Sequence, residues 1–207
     1  SILFFISGCV SLAEQDKTAK QFFVQGYFQE AAENLDKEPV TNGKDKLIYI
    51  VNRGIILHSA GNYKESNKYL LEAAELIEKL DIIKISEESG KIFINEKFSE
   101  YRGEDYERVL IHVYLALNYI LINDFQEALV ECKITNTVLE DIAEKRGIDY
   151  KQNVFALYLS GLMYETLGQD NDAYIDYKKV YELKPDFTIV QNDLIRLSKK
   201  IGFTDEF

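Results

Sequence analysis

The feature that most constrains the fold is the segment from Ala156 to Phe187, in which small and large residues recur at helical spacings. The face of the first helix carries Leu157, Ser160, Gly161 and Tyr164. A turn at Gly168 follows, the face of the second helix carries Ala173 and Tyr177, and Pro185 comes after it. Gly161 and Ala173 are small enough to let two antiparallel helices approach closely, and the aromatic side chains fill the space beside them. The segment therefore predicts a helical hairpin that ends at Pro185.

The same pattern fits three more stretches of the chain. Every copy has a small residue in its second helix, and these four residues are Ala31, Ser66, Ala128 and Ala173. The other matching positions are Ala19, Phe22, Gly26 and Leu35, then Ile50, Arg53, Gly54, Leu57, Gly61, Leu70 and Ala73, and then His112, Leu115, Ala116, Tyr119, Asn123 and Cys132. The small residues are separated by 35, 62 and 45 residues. The sequence thus predicts four related hairpins with two insertions between them.

This arrangement resembles the tetratricopeptide (TPR) repeat, whose period is about 34 residues. The resemblance implies an all-α fold, a TPR-like helical-hairpin solenoid over residues 18–207. The solenoid would carry an irregular insertion at about 85–105 and end in a C-terminal capping helix. The capping helix is predicted over Ile189 to Lys200, with apolar residues at Ile189, Val190, Leu194, Leu197 and Ile201.

The two insertions differ in pattern. After Lys133 the apolar residues Ile134, Val138, Leu139 and Ile142 keep the helical period, which predicts that the preceding helix continues to Gly147. The larger insertion first extends its helix beyond Leu76 and then changes character at Ser86. Ile92, Ile94 and Phe98 favour an extended segment there.

The N-terminus carries a second motif. An uncharged apolar run leads into Ile6-Ser7-Gly8-Cys9, and this resembles a bacterial lipobox, in which the cysteine receives a lipid. The resemblance implies that residues 1–9 are the end of a lipoprotein signal peptide whose charged start would precede Ser1. Cys9 would then be the lipidation site, and residues 10–17 would form a tether. The alternative is a short buried helix or strand that ends in Gly-Cys.

The charge balance limits the partners of the chain. With 24 Lys and Arg against 35 Asp and Glu, the net charge is −11, which repels phosphate backbones and anionic lipid head groups. We therefore expect no nucleic-acid binding, and we expect the membrane to be reached through the N-terminal lipid. Cys132 is expected to be a small buried residue rather than a nucleophile.

Signatures of catalysis are scarce. His58 and His112 lack the spacing of a metal site, and Ser89-Gly90-Lys91 lacks the upstream glycine of a P-loop. No GxSxG motif and no glycine-rich dinucleotide turn occurs. We expect no enzyme activity, no cofactor and no metal. A hydrolase that uses carboxylates is the remaining enzymatic alternative.

The segment from Glu100 to Val109, at the start of the third hairpin, is rich in Tyr and Arg. We call it the Tyr/Arg block. Tyr and Arg are enriched in binding hot spots, so we predict a partner-binding surface at Tyr101, Arg102, Asp105, Tyr106 and Arg108. The alternative is a helix start, in which Gly103 supplies the turn and the acidic residues favour the helix dipole. An arginine of the block could also neutralise acids of the chain.

The first helices of the hairpins predict a mainly apolar groove. Its predicted lining is Asn52, Ile55, His58, Tyr114, Leu117, Asn118, Tyr158, Leu162 and Glu165. TPR proteins that bind chaperones hold a peptide carboxylate with Lys, Arg and Asn at such positions, and this chain lacks that set. An apolar or amphipathic helix would suit the groove, unless the long second helices or the insertion fill it.

The blocks YRGEDYERV (101–109), ALNY (116–119) and EALVE (127–131) resemble a group of bacterial TPR-like lipoproteins that has no established activity. A lipobox joined to TPR repeats also resembles envelope-assembly lipoproteins. These resemblances imply a lipid-anchored scaffold for protein partners in a bacterial envelope complex, facing the periplasm or the cell surface. Val10, in place of aspartate, favours the outer membrane. The alternative is a carrier or receptor subunit that binds an apolar ligand or peptide in its groove.

Overall fold

The computed structural model describes residues 12–37, 39–40, 45–88, 104–147 and 153–203, and it describes the side chains of these residues except at 12–16 and 83–88. All regular structure within these ranges is helical. The helices are α1 (Leu12–Val24), α2 (Phe28–Leu35), α3 (Lys46–Ser59), α4 (Tyr63–Glu88), α5 (Asp105–Leu121), α6 (Phe125–Arg146), α7 (Val154–Thr166), α8 (Asp170–Leu183) and α9 (Thr188–Ile201).

Each helix packs against the next one along the chain, which gives four hairpins followed by a single helix. In addition, α3 contacts α5 directly. Residues of α1 and α3 also line a common cavity. We call the side of the array that is formed by α1, α3, α5 and the equivalent helix α7 the inner face. The predicted all-α solenoid of hairpins with a final capping helix is confirmed.

Close helix approach inside the hairpins depends on glycine. A Cβ atom added to Gly161 would lie 2.5 Å from Cε1 of Tyr177, and one added to Gly54 would lie 2.7 Å from Cγ of Leu70. Ala173 and Tyr177 are completely buried. The predicted contact of small residues with a large neighbour is thus present in both hairpins.

Successive hairpins also pack through apolar residues. Met163 on α7, which is 5% exposed, packs with Ala128 and Leu129 of α6 in one buried cluster. At the C-terminal end, α9 buries Val190 and Leu194 completely. Ile189, in contrast, is half exposed, because it lies outside the face that α9 turns to the array.

Helix boundaries differ from the predictions in two places. The helix α1 begins at Leu12, so most of the predicted tether, 10–17, is helical, because the segment from Leu12 to Val24 has good helix formers and no Gly or Pro. The helix α4 continues to Glu88, which shortens the predicted insertion at its start. The predicted extended segment with Ile92, Ile94 and Phe98 lies outside the described residues.

The extension of α6 agrees with the sequence pattern. The helix ends at Arg146, and its C-cap is Gly147, whose φ of 64° is left-handed and therefore suits glycine. Among the helices of the described residues, none combines the length and the apolar character that crossing a membrane requires.

Candidate protein-binding face

The N-terminal end of the inner face contains an open cavity between α1 and α3. Its volume is about 270 Å³, and it is lined by Ala19, Lys20, Phe23, Asn52, Ile55 and Ile56. Two residues of the predicted groove, Asn52 and Ile55, therefore face open space. Lys20 is the one lysine or arginine that lines this cavity among the described residues.

The centre of the inner face is an exposed apolar stripe on α5. Its exposed members are Tyr106, Leu110 and Leu121, at 62%, 39% and 50% exposure, and the half-buried Leu117 lies between the two leucines. Their spacing of four, seven and four residues places them on one side of the helix. Tyr106 of the Tyr/Arg block and Leu117 of the predicted groove thus belong to the same surface.

Neighbouring helices extend this stripe. Ile48 on α3 and Phe155 on α7 are 36% and 48% exposed, and Leu110 on α5 occupies the equivalent repeat position. Each of the three lies 18 residues before the small residue of its own hairpin. We call Ile48, Leu110 and Phe155, together with Tyr106, Leu117 and Leu121, the inner apolar stripe. The repeated use of one position makes it a feature of the array.

Asn118, predicted to line the groove, is instead completely buried between α4 and α5. Its Nδ2 donates to Ser66 Oγ and to Asn67 Oδ1, both at 2.8 Å. Its Oδ1 lies 2.6 Å from Nδ1 of His58, and this nitrogen must be the donor because Oδ1 can only accept. Ser66 Oγ in turn donates to the Gly54 carbonyl at 2.7 Å. The amide joins two hairpins rather than meeting a ligand.

His58 and Tyr114, also predicted for the groove, support the same junction. Their rings pack edge to face with centroids 4.9 Å apart, and the Tyr63 ring also packs edge to face with His58, with centroids 5.7 Å apart. The sequence did carry one signal of this network. Ser66 is the only hydroxyl-bearing residue among the four small residues, and alanine stands at the other three places.

The C-terminal end of the inner face is closed by α9. The Tyr158 hydroxyl donates to Asp193 at 2.8 Å, and Phe187 packs edge-on against the Tyr158 ring. Burial, with a further contribution from Asp193, raises the pKa of Tyr158 to about 12. Leu162 is half-buried among the apolar residues of this end. Two predicted groove residues, Tyr158 and Leu162, therefore pack against other residues of the chain and do not line an open groove.

Glu165 is held by the same helix. The Arg196 guanidinium pairs with Glu165 and lies 3.0 Å from Asp193, and the Tyr177 hydroxyl donates to Glu165 at 3.1 Å. The hydrogen bond from Arg196 lowers the pKa of Glu165. The sequence analysis left open the alternative that the long second helices or the insertion fill the groove. At this end the filling element is the capping helix.

Comparisons with known proteins agree with this architecture. No protein-family model matches the chain, and no curated protein is similar to it in sequence. Among solved structures, MamA aligns with a TM-score of 0.62 at 14% identity, over 94% of this chain and 87% of MamA. MamA from Desulfovibrio magneticus RS-1 aligns with a TM-score of 0.58 at 16% identity, over 92% and 85% of the two chains. A tetratricopeptide repeat protein from Parabacteroides merdae aligns at 0.60 and 21% identity, over 94% of this chain and 61% of that protein.

The chain has a TPR-like fold. Identities of this size establish the architecture alone, so the function must be argued from the chain's own surfaces.

The Tyr/Arg block of the TPR-like array divides into residues of different roles. Tyr101 and Arg102 lie outside the described residues. Arg108 donates to both carboxylate oxygens of Asp81 on α4, at 2.6 and 2.8 Å, and Asp105 pairs with Arg146 on α6. These two residues pair α5 with its neighbours, and of the five predicted binding residues Tyr106 is the described one that is exposed.

The start of α5 also fits the alternative that the sequence left open. The Glu104 backbone N–H donates to the Glu107 carboxylate at 2.8 Å, as in a capping box. Acidic residues in the first turn favour the positive end of the helix dipole. The acids of the block therefore start a helix, and Arg108 neutralises an acid, as its alternative interpretation held.

Several buried ionisable side chains of the TPR-like array either lie in apolar surroundings or form a hydrogen bond with another side chain. Burial raises the pKa of the Cys132 thiol to about 12, which fits the predicted small buried residue. Ser160 donates to Asp176 at 2.6 Å, and burial raises the pKa of this carboxyl. His112 Nδ1 lies 2.7 Å from the buried Glu131 carboxylate. In the described ranges, no three His, Cys, Asp or Glu side chains converge on a point where they could hold a metal ion.

Proposed function

We propose that this protein is a lipid-anchored scaffold that binds protein partners of a bacterial envelope complex through the open part of its inner face. The observation that carries the proposal is the inner apolar stripe, in which three helices expose an apolar side chain at the same repeat position. Contiguous exposed apolar surface marks interaction sites in soluble domains. On α3, Ile48 of the stripe lies four and seven residues before Asn52 and Ile55 of the open cavity, a spacing that places the three on one side of the helix.

The chemistry of the face favours an amphipathic helix as the bound element. Leu110, Leu117 and Leu121 follow one side of α5, and a helix laid across such a row buries apolar side chains at its own i, i+3 and i+4 positions. Lys20 is the described lysine or arginine at the cavity, so a carboxylate clamp is not the basis of recognition. Apolar burial would supply most of the affinity.

Membrane attachment through Cys9 is the second part of the proposal. It rests on the Ile6-Ser7-Gly8-Cys9 motif and on the net charge of −11, which disfavours direct contact with anionic lipids. Val10 after the cysteine favours the outer membrane, with the array facing the periplasm or the cell surface.

The cavity between α1 and α3 supports a second candidate function, a carrier of small apolar ligands. Phe23, Ile55 and Ile56 give it an apolar lining and a volume of about 270 Å³. That volume is near the lower limit of ligand pockets, which measure about 300–1,000 Å³. The stripe extends well beyond it, so we favour a protein partner.

Anchoring is tested by Cys9→Ser in the native host. We expect the variant to fold with an unchanged melting temperature and to move from the membrane fraction to the soluble fraction. Mass spectrometry of the wild-type N-terminus should find lipid on Cys9. A membrane-bound variant after a salt wash, or an unmodified Cys9 in the wild type, would contradict the anchor.

Partner binding is tested by Leu110→Glu in the centre of the stripe, with Ile175→Glu as the matched control. Ile175 is 50% exposed on α8 and does not belong to the stripe. Quantitative cross-linking in host membranes should lose its protein adducts with the first variant and keep them with the second. Adducts that persist with Leu110→Glu, or that are exchanged for a small apolar ligand in native mass spectrometry, would contradict the scaffold.

A further inference from the structure

A second concave surface lies between the two longest helices, α4 and α6. These helices have 26 and 22 residues, against 14 in α8, and α5 packs against both of them. The resulting cleft has a volume of about 260 Å³. Its apolar lining is Ala74, Ile77, Ile111, Ile134, Val138 and Ile142. We call it the long-helix cleft.

One wall of the cleft is the part of α6 that exceeds the usual length of a repeat helix, and this part is amphipathic. Ile134, Val138 and Ile142 follow each other at four-residue spacing, and all three are half-buried. A helical rise of about 1.5 Å per residue gives this row a length of roughly 12 Å. The row accommodates about two turns of another helix, whose side chains would enter the cleft.

The rim of the cleft is mainly acidic. Glu78 on α4 and Asp141 on α6 stand on opposite walls, and neither carboxylate has an ion-pair partner among the described residues. Asp81 is neutralised by Arg108. Lys145, one turn beyond Asp141, is the one cation of the rim without a described acidic partner. Two opposed free acids select a cationic partner.

We propose that the long-helix cleft is a second docking site, which binds a basic amphipathic helix of a protein partner. Apolar side chains of that helix insert between α4 and α6, and its Lys or Arg residues pair with Glu78 and Asp141. The site does not depend on the inner face. A scaffold with both surfaces holds two partners at the same time.

The test uses the full chain with ¹³C-methyl-labelled isoleucine and two synthetic peptides. Each peptide has about 15 residues, a length at which helices of Ala-rich sequence begin to form in water. Both carry leucines on one face, and the flanking residues are lysines in one peptide and glutamates in the other. Ile77, Ile134 and Ile142 report on the cleft, Ile48 and Ile55 on the inner face, and Ile175 serves as the control.

We expect the lysine peptide to shift the cleft methyl signals and to bind about tenfold more tightly there than the glutamate peptide. The double variant Glu78→Lys, Asp141→Lys should reverse this preference. Both residues are exposed, so an unchanged melting temperature should accompany the reversal.

Equal binding of the two peptides in the cleft would overturn the proposal. Cleft signals that do not move would overturn it as well, whether the peptide binds the inner face, binds nowhere, or finds the cleft already filled by other residues of the chain. Shifts confined to Ile48 and Ile55 would leave the proposed function of the inner face in place. The two hypotheses can therefore fail separately.

Discussion

Where α5 meets α4, the amide of Asn118 is held by hydrogen bonds to Ser66 and Asn67. Where α7 meets α6, the equivalent residue is Met163, which packs with Ala128 in a buried apolar cluster. Both residues lie ten positions before the small residue of their own hairpin. One junction is therefore directional and polar, and the other depends on shape and apolar area.

The difference teaches how one repeat template gives two kinds of interface. Hydrogen bonds require each donor to meet its acceptor, so a polar junction tolerates only one partner and one register. An apolar junction tolerates substitutions that keep volume. Ser66 and Ala128 occupy the same repeat position, and so do Asn67 and Leu129. These two exchanges, together with Asn118 in place of Met163, separate the two cases.

The largest effect should come from placing the polar residue in the apolar junction. Met163→Asn removes a buried side chain and leaves an amide without partners, so we expect a loss of about 3–5 kcal/mol in the free energy of unfolding. Urea unfolding measures it, with Met163→Leu as a control that should lose less than about 1.5 kcal/mol. Similar losses for both variants would show that the junction does not discriminate against polarity.

The reverse exchange should cost somewhat less. Asn118→Met removes the hydrogen-bond partner of His58, Ser66 and Asn67, and we expect a loss of about 2–3 kcal/mol in urea unfolding. Adding Ser66→Ala and Asn67→Leu copies the apolar junction of α6 and α7 and should restore more than half of the loss. A triple variant no better than the single one would show that the two junctions also differ in backbone geometry.

A third substitution tests whether the difference is confined to the junctions. Ala173→Leu overfills the space between α7 and α8, where Ala173 is completely buried, and it should cost about 1–3 kcal/mol in a thermal or urea melt. The matched change Ile175→Leu, on the exposed side of the same helix, should leave the melt unchanged. An unchanged melt for Ala173→Leu would argue against close packing in this hairpin.

The smallest effect should come from the ion pairs that close the inner face. Arg196 is half exposed, so Arg196→Ala should cost at most about 1 kcal/mol at neutral pH. The folded state lowers the pKa of Glu165, and a lowered carboxyl pKa stabilises above the unfolded value of about 4.3. The cost should therefore shrink as the pH falls through and below that value.

Hydrogen exchange gives the second measurement for Arg196→Ala. Exchange of α9 amides should quicken at neutral pH, with Lys199→Ala as the matched control. A cost that is equal at neutral and at acidic pH would show that the Glu165 pair contributes nothing.

Much of the fold follows from local sequence. Gly161 and Ala173 predicted the hairpin contact, and Gly147 predicted the end of α6, because each of these features depends on residues within a single hairpin. The start of α1 at Leu12 was missed, since a tether and a short polar helix have similar composition.

The candidate site was less predictable, because its residues depend on distant partners. The sequence alone predicts Asn118 as a groove residue. Its hydrogen-bond partners, Ser66 and Asn67, lie 52 and 51 positions earlier, and only the fold brings them to its amide. Glu165 likewise meets Arg196 31 positions later. Side-chain pairs at such separations leave no periodic signal, and only the stacking of hairpins creates them.

The Asn118 junction has a consequence for how such an array can grow. If a gene duplication inserted a second copy of the α5–α6 hairpin after the first, the new copy of Asn118 would face Ala128 and Leu129 instead of Ser66 and Asn67. Its amide would be buried without an acceptor for either proton, at a cost of about 1–3 kcal/mol. A tandem copy of this hairpin therefore lowers the stability of the array until compensating changes restore an acceptor or remove the amide. Lengthening the array elsewhere avoids this cost.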